Sequence, residues 1–466
     1  MTTIFITIIP FTMNKNKKTK PADPSLPVIH PFAAGIDAGD TLHSVAVPAS
    51  LATPSVRSFG TMTCDLECIS AWLLDCGIKT VAIESTGVYW KPLFNLLNRA
   101  GLEVYLVNAR EVKNVSGRKT DESDAVWLQK LHSFGLLRSA FLPDDEQEAL
   151  RSLVRYRHTL IEDCSRFKNR IQKSLELMNI KFHTLFADLF GKTSQGFIEA
   201  ILAGERNPEA FLPLVKKGIK ADPDKILQSL RGNWRSEHLF TLEQSYEMHK
   251  SYQQRITACD HEIEKHLLQY GASLNNGVID NESASSSEKT AQKKKQRGAP
   301  SFDVRSYLQT IYGTDVMAIY GISDVGGLEI LAETGADLSK WPTAKHFASW
   351  LNLSPNNKQS GGKIISSRLM NKKPNAASQA FRIAANTLQR SNHWLGDFFR
   401  RMKSRGGNKY AVVATANKLA TIYYLMVQNK QAFTPMALEA YQQKQQQAKI
   451  DFYERKLGEL KMMAAS

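Results

Sequence analysis

Four acidic residues, Asp37, Glu84, Asp121 and Asp124, carry the first chemical signal in this chain. Asp37 ends the short apolar run 33–36, after which the chain turns at Gly39 into a second apolar run, 42–47. Glu84 ends the strand-like run 80–83. Asp121 and Asp124 lie three apart at the start of a helical pattern, a spacing that projects both side chains from one face. Four carboxylates converging from two strand ends and a helix would not stay ionised together without cations. Mg²⁺ is the natural counter-charge, because it takes oxygen ligands and serves phosphoryl transfer. Taken singly, each residue also fits a turn or a helix cap, and Asp121 and Asp124 suit a helix N-terminus. Asp40 reads as a turn residue, and Glu122 is expected to point elsewhere. Arg110, Arg118 and Lys119 bracket the stretch before the helix, where they would meet a phosphate approaching the carboxylates.

A second constellation runs from Leu351 to Lys363 and centres on Ser360-Gly361-Gly362. A serine before two glycines, flanked by Lys358 and Lys363, reads as a bare hydroxyl on a mobile backbone with cations nearby. Such a serine attacks phosphorus if a base or metal lowers its proton affinity. An ordinary basic loop that grips phosphate through its amides has the same composition, and Ser366 and Ser367 are rivals for the role. Gly321 to Gly327, before a helical run from Leu328, reads as a glycine-rich turn presenting backbone N–H groups to phosphate. Arg382, Arg390, Arg400, Arg401, Lys403, Arg405 and Lys409 form a basic stretch interleaved with Trp394, Phe398, Phe399 and Tyr410. There the aromatics are expected in the core and the cations on backbone phosphates.

The elements that must position these residues are legible in outline. Residues 1–31 read as a disordered leader. Over 32–140 a hairpin, a third strand near 56–59 and then β-α alternation give the order of a ribonuclease-H-like (RuvC-like) domain. Residues 141–270 read as a helical, coiled-coil arm. A long amphipathic helix over 144–180 carries Leu150, Val154, Ile161, Cys164, Ile171, Leu175 and Met178 on one stripe. Arg151, Arg155, Arg166, Arg170 and Lys173 lie largely off it, as a solvated face or a phosphate track. A second long helix runs from about 237 to 269. The stretch 271–302 shifts to Asn, Ser and Gly and then to Lys and Arg, the signature of a flexible basic linker. A mostly helical domain follows over 303–433, with a polar helical tail over 434–466. The fold class is therefore α/β plus all-α.

The chain has 466 residues and a formal net charge of +15, with a pI near 9.4. That length accommodates two or three domains, and that charge favours a polyanionic partner. The five cysteines form no zinc-spaced cluster and read as reduced core thiols of a cytosolic protein. The apolar run 4–11 is too short to span a membrane, and its basic residues follow it, the wrong order for a signal peptide. No membrane association is expected, and the localisation read is prokaryotic cytoplasm.

With these residues in view, the chain resembles the DEDD-type insertion-sequence transposases related to the Piv DNA invertase, the bridge-RNA-guided serine recombinases. Ile36-Asp37, Ile83-Glu84-Ser85-Thr86-Gly87 and the run Gly117 to Ala125 resemble the family's RuvC-like motifs. Trp350-Leu351-Asn352-Leu353-Ser354-Pro355, Ser360-Gly361-Gly362-Lys363 and Ala416-Asn417-Lys418-Leu419-Ala420 resemble its C-terminal transposase domain. The likeness covers about 33–430 in the family's order. It implies Mg²⁺ on Asp37, Glu84, Asp121 and Asp124, with Ser360 as the nucleophile of a covalent phosphoserine link to DNA. It also implies DNA and a structured guide RNA as partners of a homo-oligomer, dimer or tetramer, with a composite site formed by two protomers. Arg110, Arg118, Lys119, Lys358, Lys363, Arg368 and Lys418 are then the nucleic-acid-binding cations. One departure is Tyr320-Gly321-Ile322-Ser323, where the family usually has Pro-Gly-Ile-Gly. The alternatives from other classes are a hydrolytic RuvC-like nuclease or junction resolvase, and a non-catalytic nucleic-acid-binding element protein.

Overall fold

A computed structural model of the chain describes residues 27–85, 87–108, 112, 124–140, 142–274, 298–370 and 374–465. Two compact units divide it, one ending at Leu142 and the other starting at Pro143.

In the first unit, β1 (Ala33–Ala38), β2 (His43–Ala46) and β3 (Val56–Phe59) form an antiparallel meander. Two parallel strands, β4 (Thr80–Glu84) and β5 (Glu103–Val107), extend the other side of β1, giving the sheet order β3-β2-β1-β4-β5. The helices are α1 (Thr63–Asp75), α2 (Trp90–Arg99) and α3 (Asp124–Ser133). Period-two alternation sorts the side chains between two faces. Ala34, Ile36, Ala38, Val81 and Ile83 join Ile69, Leu73, Leu93 and Leu97 of α1 and α2 in one core cluster. Ala82 and Val107 pack instead with Leu128 and Leu131 of α3. The sheet is thus covered on both sides, as the ribonuclease-H-like reading requires.

Helix α3 lies unusually close to the central strand. A Cβ on Gly35 would fall 2.3 Å from the Gln129 amide nitrogen and 2.4 Å from the Ala125 carbonyl oxygen. Buried bonds fix the contact: Gln129 Nε2 donates to the Ala33 carbonyl (3.3 Å), and Thr80 Oγ1 pairs with His132 Nε2 (2.9 Å). Ile29 and His30, which fell within the leader of the sequence reading, donate backbone N–H bonds to the Ser133 carbonyl.

The second unit begins with α4 (Asp145–Leu177), capped by the Asp144 carboxylate on the Gln147 amide at 2.8 Å. Helix α5 (Lys192–Leu202), helix α6 (Pro223–Ser229) and the long α7 (Ser236–Leu274) follow. The contacts Glu146–Ser273, Cys164–Gln253 and Phe167–Tyr252 run in opposite sequence directions, so α4 and α7 are antiparallel. Their far end closes over α5 and α6 around Phe182, Phe197 and Phe211.

Among the described residues the rest is helical except for one hairpin: α8 (Val304–Tyr312), α9 (Asp324–Thr334), α10 (Ala344–Trp350), strands β6 (Asn356–Ser360) and β7 (Lys363–Arg368), α11 (Ala376–Thr387), α12 (Trp394–Asn429) and α13 (Leu438–Ala465). Helix α12 is two helices joined at a kink, where Gly406 and Gly407 leave helical geometry. Trp341, Phe347, Phe381, Tyr423 and Tyr424 form the aromatic heart of this region.

Several expectations need correction. Arg151 and Arg155 are not a phosphate track, because both face the buried Glu333 of α9, Arg155 through two bonds of 2.8 and 3.0 Å. Gly326 and Gly327 do not form a turn. Ser323 caps α9 by accepting from the Gly326 amide at 3.2 Å, and the positive φ of +88° belongs to Gly321. Among the cysteines only Cys164 and Cys259 are core; Cys64 and Cys68 are exposed on α1, and all five are free thiols. Most of the expected basic linker, 275–297, lies outside the described residues.

Candidate active site

The acidic site is built by register. Ile36 pairs with Ile83 across the parallel strands β1 and β4, so Asp37 and Glu84 stand side by side at adjacent carboxyl ends. Their parity is that of Gly35 and Ala82, which places both on the side of the sheet that α3 covers. Asp124 opens α3 on that same side, next to the Ala125 carbonyl that presses on Gly35. Asp37, Glu84 and Asp124 are all half-buried. The Asp37 charge reaches the buried imidazole of His43 on β2, opposing the burial that pushes His43 below its ordinary pKa. Asp40 is exposed at the turn between β1 and β2.

Thus three of the four predicted carboxylates share one face and one end of the sheet, the carboxyl edge where open α/β sheets take their ligands. Asp121, Arg110, Arg118 and Lys119 lie outside the described residues. Among the described residues alone, no three acidic, histidine or cysteine side chains are close enough to hold a metal. The donor set is nonetheless all carboxylate, the chemistry that suits a hard divalent cation.

The serine site is a two-stranded hairpin. Ser360 ends β6 and pairs with Lys363, the first residue of β7, across Gly361 (φ +53°) and Gly362 (φ +77°). Two consecutive positive-φ residues make the tight hairpin turn that twists with the strands and that only glycine adopts freely. Ser360 therefore sits at the tip of a fully exposed β6. Lys358 pairs with Ser366, while the Ser367 hydroxyl donates to Asn357 Oδ1 at 2.7 Å. A register shift at Lys358/Gln359 bends the ladder. Lys358, Lys363 and Arg368 are all exposed. Between Ser354 and Met370 the chain has three cations and not one acidic or histidine residue.

Three residues hold the base of this hairpin: Asn352 and Asn417, which the sequence reading quoted without a role, and Arg382, which it expected on a backbone phosphate. Asn352, in a left-handed conformation (φ +53°), donates through Nδ2 to the Met370 carbonyl at 3.2 Å, closing the two ends. Arg382 of α11 donates to the Asn352 carbonyl at 3.0 Å, and burial pushes its guanidinium below its ordinary pKa. Asn417 of α12 donates through Nδ2 to the Leu353 carbonyl (3.2 Å) and the Ser354 hydroxyl (3.3 Å). Exposed Lys418 follows it on α12. The recurrence of Asn in both motifs was the only available signal. The basic stretch behaves as expected in part: Trp394 and Phe399 are core, but Tyr410 is exposed.

Residues 34–180 match the model of a transposase family of the IS110 DEDD type, and residues 314–400 match that of the IS116/IS110/IS902 transposases. No curated protein matches the chain. Such a pair of domains defines a DNA-processing enzyme of mobile elements, a transposase. The chain belongs to the DEDD-type insertion-sequence transposases of the IS110 group. No described helix is long and apolar enough to cross a membrane.

Proposed function

We propose that this transposase breaks and rejoins DNA strands through a covalent link to Ser360, with Asp37, Glu84, Asp121 and Asp124 binding Mg²⁺. The observation that carries this reading is the division of labour between the two sites. The hairpin tip offers a hydroxyl among cations with no acidic or histidine residue near it in the chain to act as a base, whereas the sheet edge offers carboxylates. The carboxylates supply what the hairpin lacks. A bound divalent ion would lower the proton affinity of the attacking oxygen and stabilise the departing one.

The remaining work falls to the chain's own residues. Lys358, Lys363 and Arg368 draw the phosphodiester to the hairpin. Ser360 Oγ forms the new bond to phosphorus as the bond to one DNA oxygen breaks. The serine proton ends on the departing hydroxyl, and the phosphodiester count is unchanged, so the reverse attack by another DNA end rejoins the strand. Asn352, Arg382 and Asn417 fix the hairpin that aims the hydroxyl. The family likeness supports a structured guide RNA that selects the DNA partners. It likewise supports a homo-oligomer, dimer or tetramer, in which the carboxylates of one protomer meet the serine of another.

The test is a denaturing gel of cleaved DNA. Wild-type protein should leave a protein-linked end that Ser360→Ala abolishes, and chelation of divalent ions should stop cleavage. A free phosphate end points to the hydrolytic alternative, in which water attacks. Adducts that persist in Ser360→Ala and vanish in Ser366→Ala move the nucleophile along the hairpin.

A further inference from the structure

Apart from the residues of either site, the second unit carries a half-open cavity of about 640 Å³ lined by α4, α7 and the segment 188–195. Its size lies in the range of small-ligand sites. At one end its charges are already matched. Arg157 pairs with Asp260 and donates to the Gly298 carbonyl, and Asp260 also accepts the Ser301 amide. Asp188 belongs to the other end, where it accepts the Phe190 amide.

The other end is not matched. His249 is 3% exposed, yet neither ring nitrogen has a hydrogen-bond partner among the described residues. A neutral imidazole always carries one N–H donor and one acceptor nitrogen, and burying both unpaired is costly. Gln253, beside it, donates its amide only to the Cys164 sulfur, a weak acceptor, at 3.2 Å. Gln195 lines the same wall. Phe190 stacks on His249 with ring centroids 4.3 Å apart, and Lys168 Nζ lies 5.0 Å from the centre of the Phe190 ring. Lys168 has no carboxylate partner among the described residues. Lys168, Phe190 and Ser165 also line an adjoining cavity of about 440 Å³, whose other walls include Asn169 and Gln172.

We propose that these paired cavities bind one unstacked nucleotide, its base in the inner cavity and its phosphate in the outer one at Lys168. The inner wall supplies what a base edge needs: two carboxamides and an imidazole, each able to donate and accept, beside an aromatic ring. The outer wall supplies one cation and the carboxamides of Asn169 and Gln172, the Ser165 hydroxyl being already donated to the Ile161 carbonyl, enough for a single phosphodiester and too little for a highly charged ligand. Burial and the nearby Lys168 charge keep His249 neutral, so it retains both hydrogen-bonding roles at neutral pH. The site rests on the family's work on nucleic acids and not on the serine or the metal.

The experiment uses the full chain and two probes: a single-stranded hexanucleotide with a central 4-thiouridine, and 4-thiouridine monophosphate. After near-ultraviolet irradiation, cross-linked peptides should contain Phe190 or His249. The yield should fall about tenfold in Lys168→Glu and in His249→Phe, the scale of losing one stacked and paired base. Lys168 is half-buried beside solvent, so Lys168→Glu keeps the test meaningful if His249→Phe misfolds. Preference for the hexanucleotide assigns the site to a strand, and equal labelling by the monophosphate assigns it to a free nucleotide. Cross-links mapping elsewhere, or unchanged by Lys168→Glu, leave the cavity to water and overturn the proposal.

Discussion

Asn417 illustrates how a residue with no chemistry of its own can govern a site. Its side-chain amide ties α12 to Leu353 and Ser354 at the root of the hairpin, far along the chain from Ser360. Each such bond contributes about 1 kcal/mol, and together they fix where the hairpin leaves the helical body. Asn417→Leu keeps the volume and removes both bonds. Adduct formation should slow about tenfold while DNA affinity stays near wild type, because Lys358, Lys363 and Arg368 remain on the hairpin. Wild-type rates in single-turnover cleavage would show that the hairpin needs no such anchor. At this scale the sequence was most informative where an acidic residue closes an apolar run, as with Asp37 and Glu84, which the strand register sets side by side. It was least informative for Asn352, Arg382 and Asn417. Their role lies in which carbonyl they reach, and no periodicity encodes that.

Among elements, the contact of β1 with α3 is the most exacting. Gly35 lets the helix backbone lie directly on the strand, and that contact sets where Asp124 stands relative to Asp37 and Glu84. A methyl group there meets backbone, which cannot rotate away. Gly35→Ala should therefore cost about 1–3 kcal/mol, read as a lower urea midpoint. Cleavage should fall further than the loss of folded protein explains, since α3 must lift. Normal stability and activity in this variant would mean that the helix does not sit as closely as described. The strands and helices of the first unit were legible because their faces alternate cleanly, with Ala34, Ile36 and Ala38 on one side and Gly35 and Asp37 on the other. The β6–β7 hairpin was not. Asn-Asn-Lys-Gln-Ser is polar at every position and fully exposed, so it has no buried face to produce a period of two. Only Gly361-Gly362 marked it. The start of α9 was hidden for the opposite reason, since Gly326 and Gly327 suggested a turn inside what is a capped first helical turn.

Across the whole molecule, buried imidazoles link stability to acidity. His132 in the first unit is pushed down to about 4 by burial, with His30 stacked against it and Tyr105 beside it. His249 in the second unit is pushed down to about 4 by burial and the Lys168 charge. Both are neutral when folded, but in the unfolded chain they take up a proton near the ordinary histidine value of about 6.5. Between those values the unfolded state binds more protons, so stability rises with pH and is lost as pH falls from about 6.5 toward 4. His43 and His393, also shifted down by burial, add to the same slope. Thermal melts across that window should show the melting temperature falling steadily. His132→Gln should flatten the curve while still offering Thr80 a hydrogen-bonding partner. His249→Phe, which preserves the stack on Phe190, should flatten it independently. The two residues sit in different units and share no partner, so their effects on the slope should add. A flat wild-type profile between those pH values would show that these imidazoles gain protons while folded, and with it that the His249 cavity is wetter than its unpaired nitrogens indicate.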